Sequence, residues 1–93
     1  MYRIMDTDLK ELPEQFTGRG ETKNFNFKQL KRSDKAYIYE ISYSEIMYYE
    51  VFKRKINLQF NCVSYPGSKS FGVHAKTTPD LMRALEIFES YNK

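Results

Sequence analysis

The chain has few residues that can form disulfide bonds or bind metal ions. Its 93 residues include one cysteine, Cys62, one histidine, His74, and no tryptophan. A lone cysteine excludes an intrachain disulfide, and one cysteine with one histidine is too few for a zinc site, which needs three or four ligands. We therefore predict one domain with a modest apolar core, no metal and no cofactor.

Long apolar runs are also missing. No stretch approaches the roughly 20 apolar residues that span a bilayer. The N-terminal stretch MYRIMDTDLKELPEQF carries scattered charges instead of an apolar signal core. Together with the lone cysteine, these absences predict a cytoplasmic protein with no membrane segment.

Aromatic residues and positive charge are what the chain does have. Aromatics make up 16% of the residues, as eight tyrosines and seven phenylalanines, and tyrosine suits interfaces because one end is apolar and the other polar. The net charge is +3, but residues 23–76 alone hold ten basic and four acidic residues. The middle of the chain is therefore predicted to present a positive surface.

Alternation of apolar and polar residues predicts strands in this middle region. NFNFKQLK, AYIYEISY and MYYEVFKRKI each repeat with period two, and the polar turn KRSDK and a short connection at Ser44 and Glu45 separate them. SFGVHAKT alternates again after the turn signal Pro66-Gly67. Between these, NLQFNCV is predicted to form a short strand or packed loop in which Phe60 and its apolar neighbours are buried.

The last segment, TTPDLMRALEIFESYNK, has the pattern of an amphipathic helix. Thr78 is predicted as the N-cap, with Pro79 at the first helical position. The predicted apolar stripe consists of Leu81, Ala84, Leu85, Phe88 and Tyr91.

These elements predict an α+β fold. Residues 23–93 would form one β-β-β-β-α domain, with an antiparallel sheet of about four strands and the C-terminal helix on one face. Residues 1–22 are interpreted as an N-terminal arm with a possible short helix. The second sheet face would be exposed, covered by the arm, or used for binding.

Basic and aromatic residues of the predicted sheet form a candidate site for nucleic acid, predicted to prefer single strands and to read little sequence. In such sites cations follow the phosphate backbone while rings stack on bases. The phosphate-binding candidates are Lys53, Arg54, Lys55, Lys69 and Lys76. The stacking candidates are Tyr37, Tyr39, Tyr48 and Tyr49. A solvated surface is the simpler interpretation of a short basic run, and exposed tyrosines equally suit a protein partner or a homodimer seam.

Other chemistry has little support in the sequence. SYPGSKSFG lacks the Gly-x-x-x-x-Gly-Lys-Ser/Thr spacing of a nucleotide-binding loop and leads into a strand, so it is interpreted as a turn. A nuclease using His74 would also need a proton-transfer partner, and no carboxylate or second histidine is nearby in sequence. We therefore assign no catalytic residue and favour a binding protein over an enzyme.

Two resemblances add context. GRGE at residues 18–21, with AYIYEI, YYEVFKRK and CVSYPGSKSFG, resembles small uncharacterised phage and mobile-element proteins of gut bacteria. This resemblance implies a phage or mobile-element setting but no activity. A small protein from such a setting that binds and modulates a host protein, with exposed tyrosines as anchors, is the alternative function. The order of turn (Pro66–Lys69), strand and final helix is similar to the positive-cofactor family of single-stranded-DNA-binding coactivators, which implies a dimer that holds unpaired DNA across its sheets.

Overall fold

A computed structural model describes residues 10–66 and 74–93 of the chain. In these ranges the strands and helix are β1 (Gln15–Thr17), β2 (Asn26–Arg32), β3 (Ala36–Tyr43), β4 (Ile46–Lys53), β5 (Ile56–Asn57), β6 (Cys62–Val63), β7 (Ala75–Thr78) and α1 (Leu81–Tyr91). A 3-10 turn at Gly20–Thr22 lies between β1 and β2.

The main sheet is antiparallel and has the strand order β1-β2-β3-β4-β7, while β5 and β6 form a separate two-stranded hairpin. Helix α1 packs on β3, β4 and β7. The predicted α+β class with its C-terminal helix is confirmed. The described part of the sheet has five strands because β1, from the segment interpreted as an arm, pairs with β2 and places Phe16 opposite Phe27.

Two of the predicted connections are tight turns. The hydroxyl of Ser33 accepts hydrogen bonds from the backbone N–H groups of Lys35 and Ala36, at 3.1 Å each, and so closes the turn between β2 and β3. Ser44 adopts a φ of 54° in the connection between β3 and β4. Residues 1–9 and 67–73, which include the possible start of the arm helix and most of SYPGSKSFG, lie outside the described residues.

The helix begins at Leu81, so the predicted start at Thr78 and Pro79 is wrong. Asp80 is the N-cap, and its carboxylate accepts a hydrogen bond from the N–H of Met82 at 2.9 Å. Thr78 instead ends β7, where it pairs with Tyr49, and its hydroxyl accepts a hydrogen bond from the N–H of Asp80. Because β7 continues through Thr78 and Asp80 itself has extended backbone angles (φ −103°, ψ 117°), helical conformation starts only at Leu81.

The core has two layers, one on each face of the sheet. The layer under α1 is small and aliphatic, with one helix phenylalanine. Its fully or nearly fully buried members are Ala36, Ile38, Val51, Ala84, Ile87 and Phe88. The predicted stripe is only partly correct, because Leu81 is exposed and Ile87 is buried.

The layer on the second face is aromatic. Its buried members are Phe27, Tyr37, Tyr39, Ile41, Phe52, Val63 and Ala75. Leu12 and Phe16 from the N-terminal segment, and Tyr65 after β6, pack over these residues. The Phe16 ring stacks on Phe27 with 4.5 Å between centroids. Of the three alternatives for this face, a cover that includes part of the arm is the one the structure shows.

Packing of Phe88 gives a first prediction. Phe88 is 3% exposed whereas Met82, on the same helix, is 69% exposed. Phe88→Ala is expected to lower the free energy of unfolding by about 3–5 kcal/mol. Met82→Ala is expected to change it by less than about 0.5 kcal/mol. Urea denaturation measures both, and equal losses would contradict this assignment of the helix face.

Candidate nucleic-acid interface

Two of the four predicted stacking residues are inside the core. Tyr37 and Tyr39 are fully buried, on the face that the N-terminal segment covers. Their rings stack on the ring of Phe52, with centroids 5.4 and 5.8 Å away. The prediction that these rings are free to stack on bases is therefore wrong. Period-two alternation places them on one face but does not reveal that this face is covered.

Hydrogen bonds fix both tyrosines in place. The Tyr37 hydroxyl donates to the carboxylate of Glu11. The Tyr39 hydroxyl donates to the carbonyl oxygen of Pro13 at 2.6 Å and accepts from the side-chain amide of Gln29 at 3.0 Å. Burial raises the pKa of Tyr39 to about 12, so it keeps its proton at neutral pH. The two hydroxyls tie the N-terminal segment to the sheet.

The other two predicted stacking residues lie away from the basic run. Tyr48 and Tyr49 are half-buried near the start of β4 and point to opposite faces. At about 3.4 Å per residue, they lie roughly 14–17 Å along the strand from Lys53. One short site on the sheet cannot combine these rings with that run.

Basic side chains, by contrast, gather where β2 and β4 end and β3 begins. Lys53 pairs with Ala36, Arg32 pairs with Tyr37, and the N–H of Arg54 donates to the carbonyl oxygen of Lys35 at 2.7 Å. We name this group the basic end. Its members are Lys31, Arg32, Lys35, Lys53, Arg54 and Lys55. Because β2, β3 and β4 are successive antiparallel strands, the end of β2, the start of β3 and the end of β4 lie side by side.

Arg54 differs from its neighbours because its guanidinium is bound within the protein. Its Nε and Nη2 atoms donate to the two carboxylate oxygens of Glu11 at 3.1 and 2.5 Å. These hydrogen bonds are the main reason that the pKa of Glu11 is lowered and that of Arg54 raised. The interpretation of Arg54 as a free phosphate ligand is therefore corrected: it fastens the N-terminal segment to the sheet.

The lysines of the basic end keep their charges in solvent. Lys35, Lys53 and Lys55 are exposed, and with the described residues they form no ion pair within 4.0 Å. The Nζ atom of Lys53 lies 5.4 Å from the ring centre of Tyr91, so its alkyl chain covers apolar surface while its ammonium stays hydrated.

The remaining predicted residues lie beside this end or outside the described ranges. Lys76 is exposed on edge strand β7 opposite Val51, two residues from Lys53 along β4. His74 is exposed, and its carbonyl oxygen accepts a hydrogen bond from the N–H of Lys53. Lys69 lies outside the described residues. In residues 10–66 and 74–93, no three histidine, cysteine, aspartate or glutamate side chains are grouped to hold a metal.

A buried carboxyl group lies on the aromatic face. Glu50 is 7% exposed and pairs with Tyr39 across the strands. The hydroxyl of Tyr65 donates a hydrogen bond to it. Burial raises the pKa of Glu50 to about 7, so this group titrates near neutral pH. The sequence indicated that this carboxyl group would be buried, because Glu50 lies between Tyr48 and Phe52 on the same, otherwise apolar, face of the strand.

Comparison of the chain with family models, curated proteins and solved structures finds no match in any of the three. The fold and the arrangement of the basic end are thus the observations from which function is inferred. In the described ranges, no helix has the length and apolar character to span a membrane.

Glu50 gives a pH-dependent prediction. The folded chain binds the Glu50 proton more tightly than the unfolded chain, where the pKa is about 4.3, so this group lowers stability as pH rises from about 4.3 to about 7. Relative to wild type, Glu50→Gln is expected to gain up to about 4 kcal/mol in unfolding free energy across that range. Urea denaturation at several pH values measures the gain.

The exposed Glu45→Gln variant is the control for this experiment, and its difference from wild type should stay small throughout. If the difference between Glu50→Gln and wild type did not change with pH, Glu50 would be ionised in the folded protein and the assignment would be wrong.

The contribution of Glu11 to stability changes with pH in the opposite direction to that of Glu50. Its lowered pKa means that its ion pair stabilises the fold above about pH 4 and that this contribution is lost as pH falls further. Glu11→Gln is expected to cost about 1–3 kcal/mol at pH 7, because it leaves the partly buried Arg54 without a charged partner. Thermal or urea unfolding measures this cost. Glu14→Gln, an exposed change in the same segment, should cost much less.

Proposed function

We propose that this protein binds nucleic acid by contacts between its basic end and the phosphate backbone, with little dependence on sequence. The observation that supports the proposal is that six basic residues lie at one end of the sheet and that three of them, Lys35, Lys53 and Lys55, are exposed with no ion pair among the described residues. Ammonium groups in that arrangement attract a linear polyanion and release its counterions.

The charge pattern around the basic end is one-sided. From Val51 to Pro79 the chain contains no aspartate or glutamate. The acidic residues closest to the basic end are Glu11, Asp34 and Glu89, of which Glu11 is occupied by Arg54. A stretch of chain with cations alone gives a local positive potential well above that expected from the net charge of +3.

Phosphate contacts position a nucleic acid without reading its bases. In the described part of the sheet, the predicted stacking residues Tyr37 and Tyr39 are buried on one face, and α1 packs on the other. We therefore infer that the two faces serve the core and that binding takes place at the end of the sheet. Catalysis is not part of this proposal.

Binding to a protein, either a host protein or a second copy of the chain, stays the alternative. Exposed apolar side chains favour it, among them Ile46 and Met47 at the start of β4 and Met82 on α1, which are 53–69% exposed. Ile46 and Met47 lie at the opposite end of β4 from Lys53. The experiment below separates the two candidates, because it measures binding to nucleic acid directly.

The test is fluorescence anisotropy of labelled single-stranded DNA, single-stranded RNA and duplex DNA at about 50 and 200 mM salt. Lys53→Ala with Lys55→Ala is expected to weaken binding and to lower the slope of log K against log salt by roughly 0.7 per lost contact on a single strand. Both side chains are exposed, so the variant should fold.

A variant of equal charge provides the control. Lys23→Ala with Lys28→Ala also removes two exposed lysines, but these precede or lie early in β2, away from the basic end. It should leave the slope nearly unchanged. Equal effects of the two double variants would show a general charge effect and contradict the assigned site, and no binding at low salt would contradict nucleic-acid binding altogether.

A further inference from the structure

The hairpin formed by β5 and β6 presents two large apolar side chains to solvent. Leu58 is 80% exposed and Phe60 is 68% exposed. Phe60 was predicted to be buried, and this prediction is wrong, because the hairpin is separate from the main sheet and only Val63 at its end is in the core. Leu58 and Phe60 belong to neither core layer. An exposed apolar patch, unlike a single exposed apolar side chain, indicates an interaction site.

Local hydrogen bonds hold the tip of this hairpin in one shape. The side-chain oxygen of Asn57 accepts from the N–H groups of Gln59 and Phe60 at 3.0 and 3.3 Å. On the next residue, the carbonyl oxygen of Asn61 accepts from the N–H of Lys10 at 3.1 Å. The backbone on both sides of Phe60 is therefore fixed, so its ring is presented with little further loss of conformational freedom on binding.

Two lysines adjoin the hairpin. Lys55, from the basic end, directly precedes β5, and Lys10 pairs with the strand residue Cys62. Both lysines are exposed. The hairpin itself has no charged residue, and the chain has no carboxylate within nine residues of Phe60 on either side. An exposed ring on a hairpin that two lysines adjoin combines the two kinds of group that bind single-stranded nucleic acid, rings for bases and cations for phosphates.

We propose that Phe60 stacks on an unpaired base, so that the ligand of this protein is single-stranded nucleic acid in preference to a duplex. The proposal rests on the phosphate contacts of the basic end described above and adds the group that selects the strand. Bases in a duplex are already stacked on their neighbours, whereas every unpaired base offers a free face to a ring.

The composition of the tip favours a base over a lipid bilayer. Its apolar side chains, Ile56, Leu58 and Phe60, alternate with three amides, Asn57, Gln59 and Asn61. The amide of Gln59 is on an exposed residue between Leu58 and Phe60, and inserting it into hydrocarbon would remove its hydration at considerable cost. Beside a stacked base, this amide stays hydrated or contacts a base edge or phosphate.

The test compares Phe60→Ala, Phe60→Tyr and wild type by anisotropy with a labelled single-stranded oligothymidine and with a duplex. Phe60→Ala is expected to weaken single-strand binding by roughly 5- to 150-fold, the range for loss of one stacked base. It should leave duplex binding and the salt slope unchanged, because no phosphate contact is lost. Phe60→Tyr keeps a planar ring and should keep most of the affinity.

Met82→Ala is the matched control, since it removes an equally exposed apolar side chain on α1 and should change nothing. Thermal unfolding of each variant verifies the fold. Salt-dependent binding that Phe60→Ala leaves unchanged would overturn the stacking proposal while the phosphate contacts stand. No binding at low salt would overturn both.

A vesicle-binding experiment tests whether the hairpin tip instead contacts an anionic membrane, because apolar groups near lysines also suit a lipid surface. Wild type and Phe60→Ala are mixed with phosphatidylserine-containing vesicles and sedimented. If Phe60→Ala released the protein from vesicles but kept full affinity for oligothymidine, the tip would be a membrane contact and the proposal would be wrong. Equal vesicle sedimentation of the two proteins, together with loss of oligothymidine affinity, supports it.

Discussion

Strand β3 imposes the central constraint on this fold, because it is apolar on both faces. Tyr37, Ile38 and Tyr39 are consecutive and all fully buried. Consecutive residues of a strand point to opposite faces, so both faces of the sheet need a cover. Helix α1 covers one, and the N-terminal segment with Val63 and Tyr65 covers the other. A small domain whose sheet is closed on both sides has only its ends, edges and hairpin tips left for function.

Local pattern was enough to predict β2, β3, β4 and the helix, since each repeats with its own period over seven or more residues. What failed depends on contacts between distant residues. The cover over Tyr37 comes from Glu11, 26 residues away, and the burial of Phe60 was inferred from its apolarity alone although its hairpin lies apart from the sheet. The cap was misplaced because Thr78 and Asp80 are both capable of capping and only sheet pairing decides between them.

The basic residues illustrate the same limit for the site. Lys53, Arg54 and Lys55 are equivalent in sequence, yet their side chains have different roles. Arg54 forms a two-point ion pair with Glu11, a geometry that suits the planar guanidinium, while the flanking lysines remain exposed. The strand alternation separates the middle residue from its neighbours, but only the fold supplies the carboxylate. The meander then adds Arg32 and Lys35, which makes a patch from what the sequence shows as a short run.

The hydroxyl groups of the buried tyrosines have a consequence for the pairing of the strands. In most half-buried strands, a slip of one residue is prevented because it would turn apolar side chains into solvent. For β3 that penalty is small, since its two faces are nearly equally apolar along residues 36–39. The faces differ in side-chain size, and they differ also in polar contacts, because the hydroxyls of Tyr37 and Tyr39 reach Glu11 and Pro13 on one side only. Two phenol groups inside an aromatic layer thus contribute to strand register in this domain, and replacing both with phenylalanine would preserve the rings of β3 while removing that polar contribution.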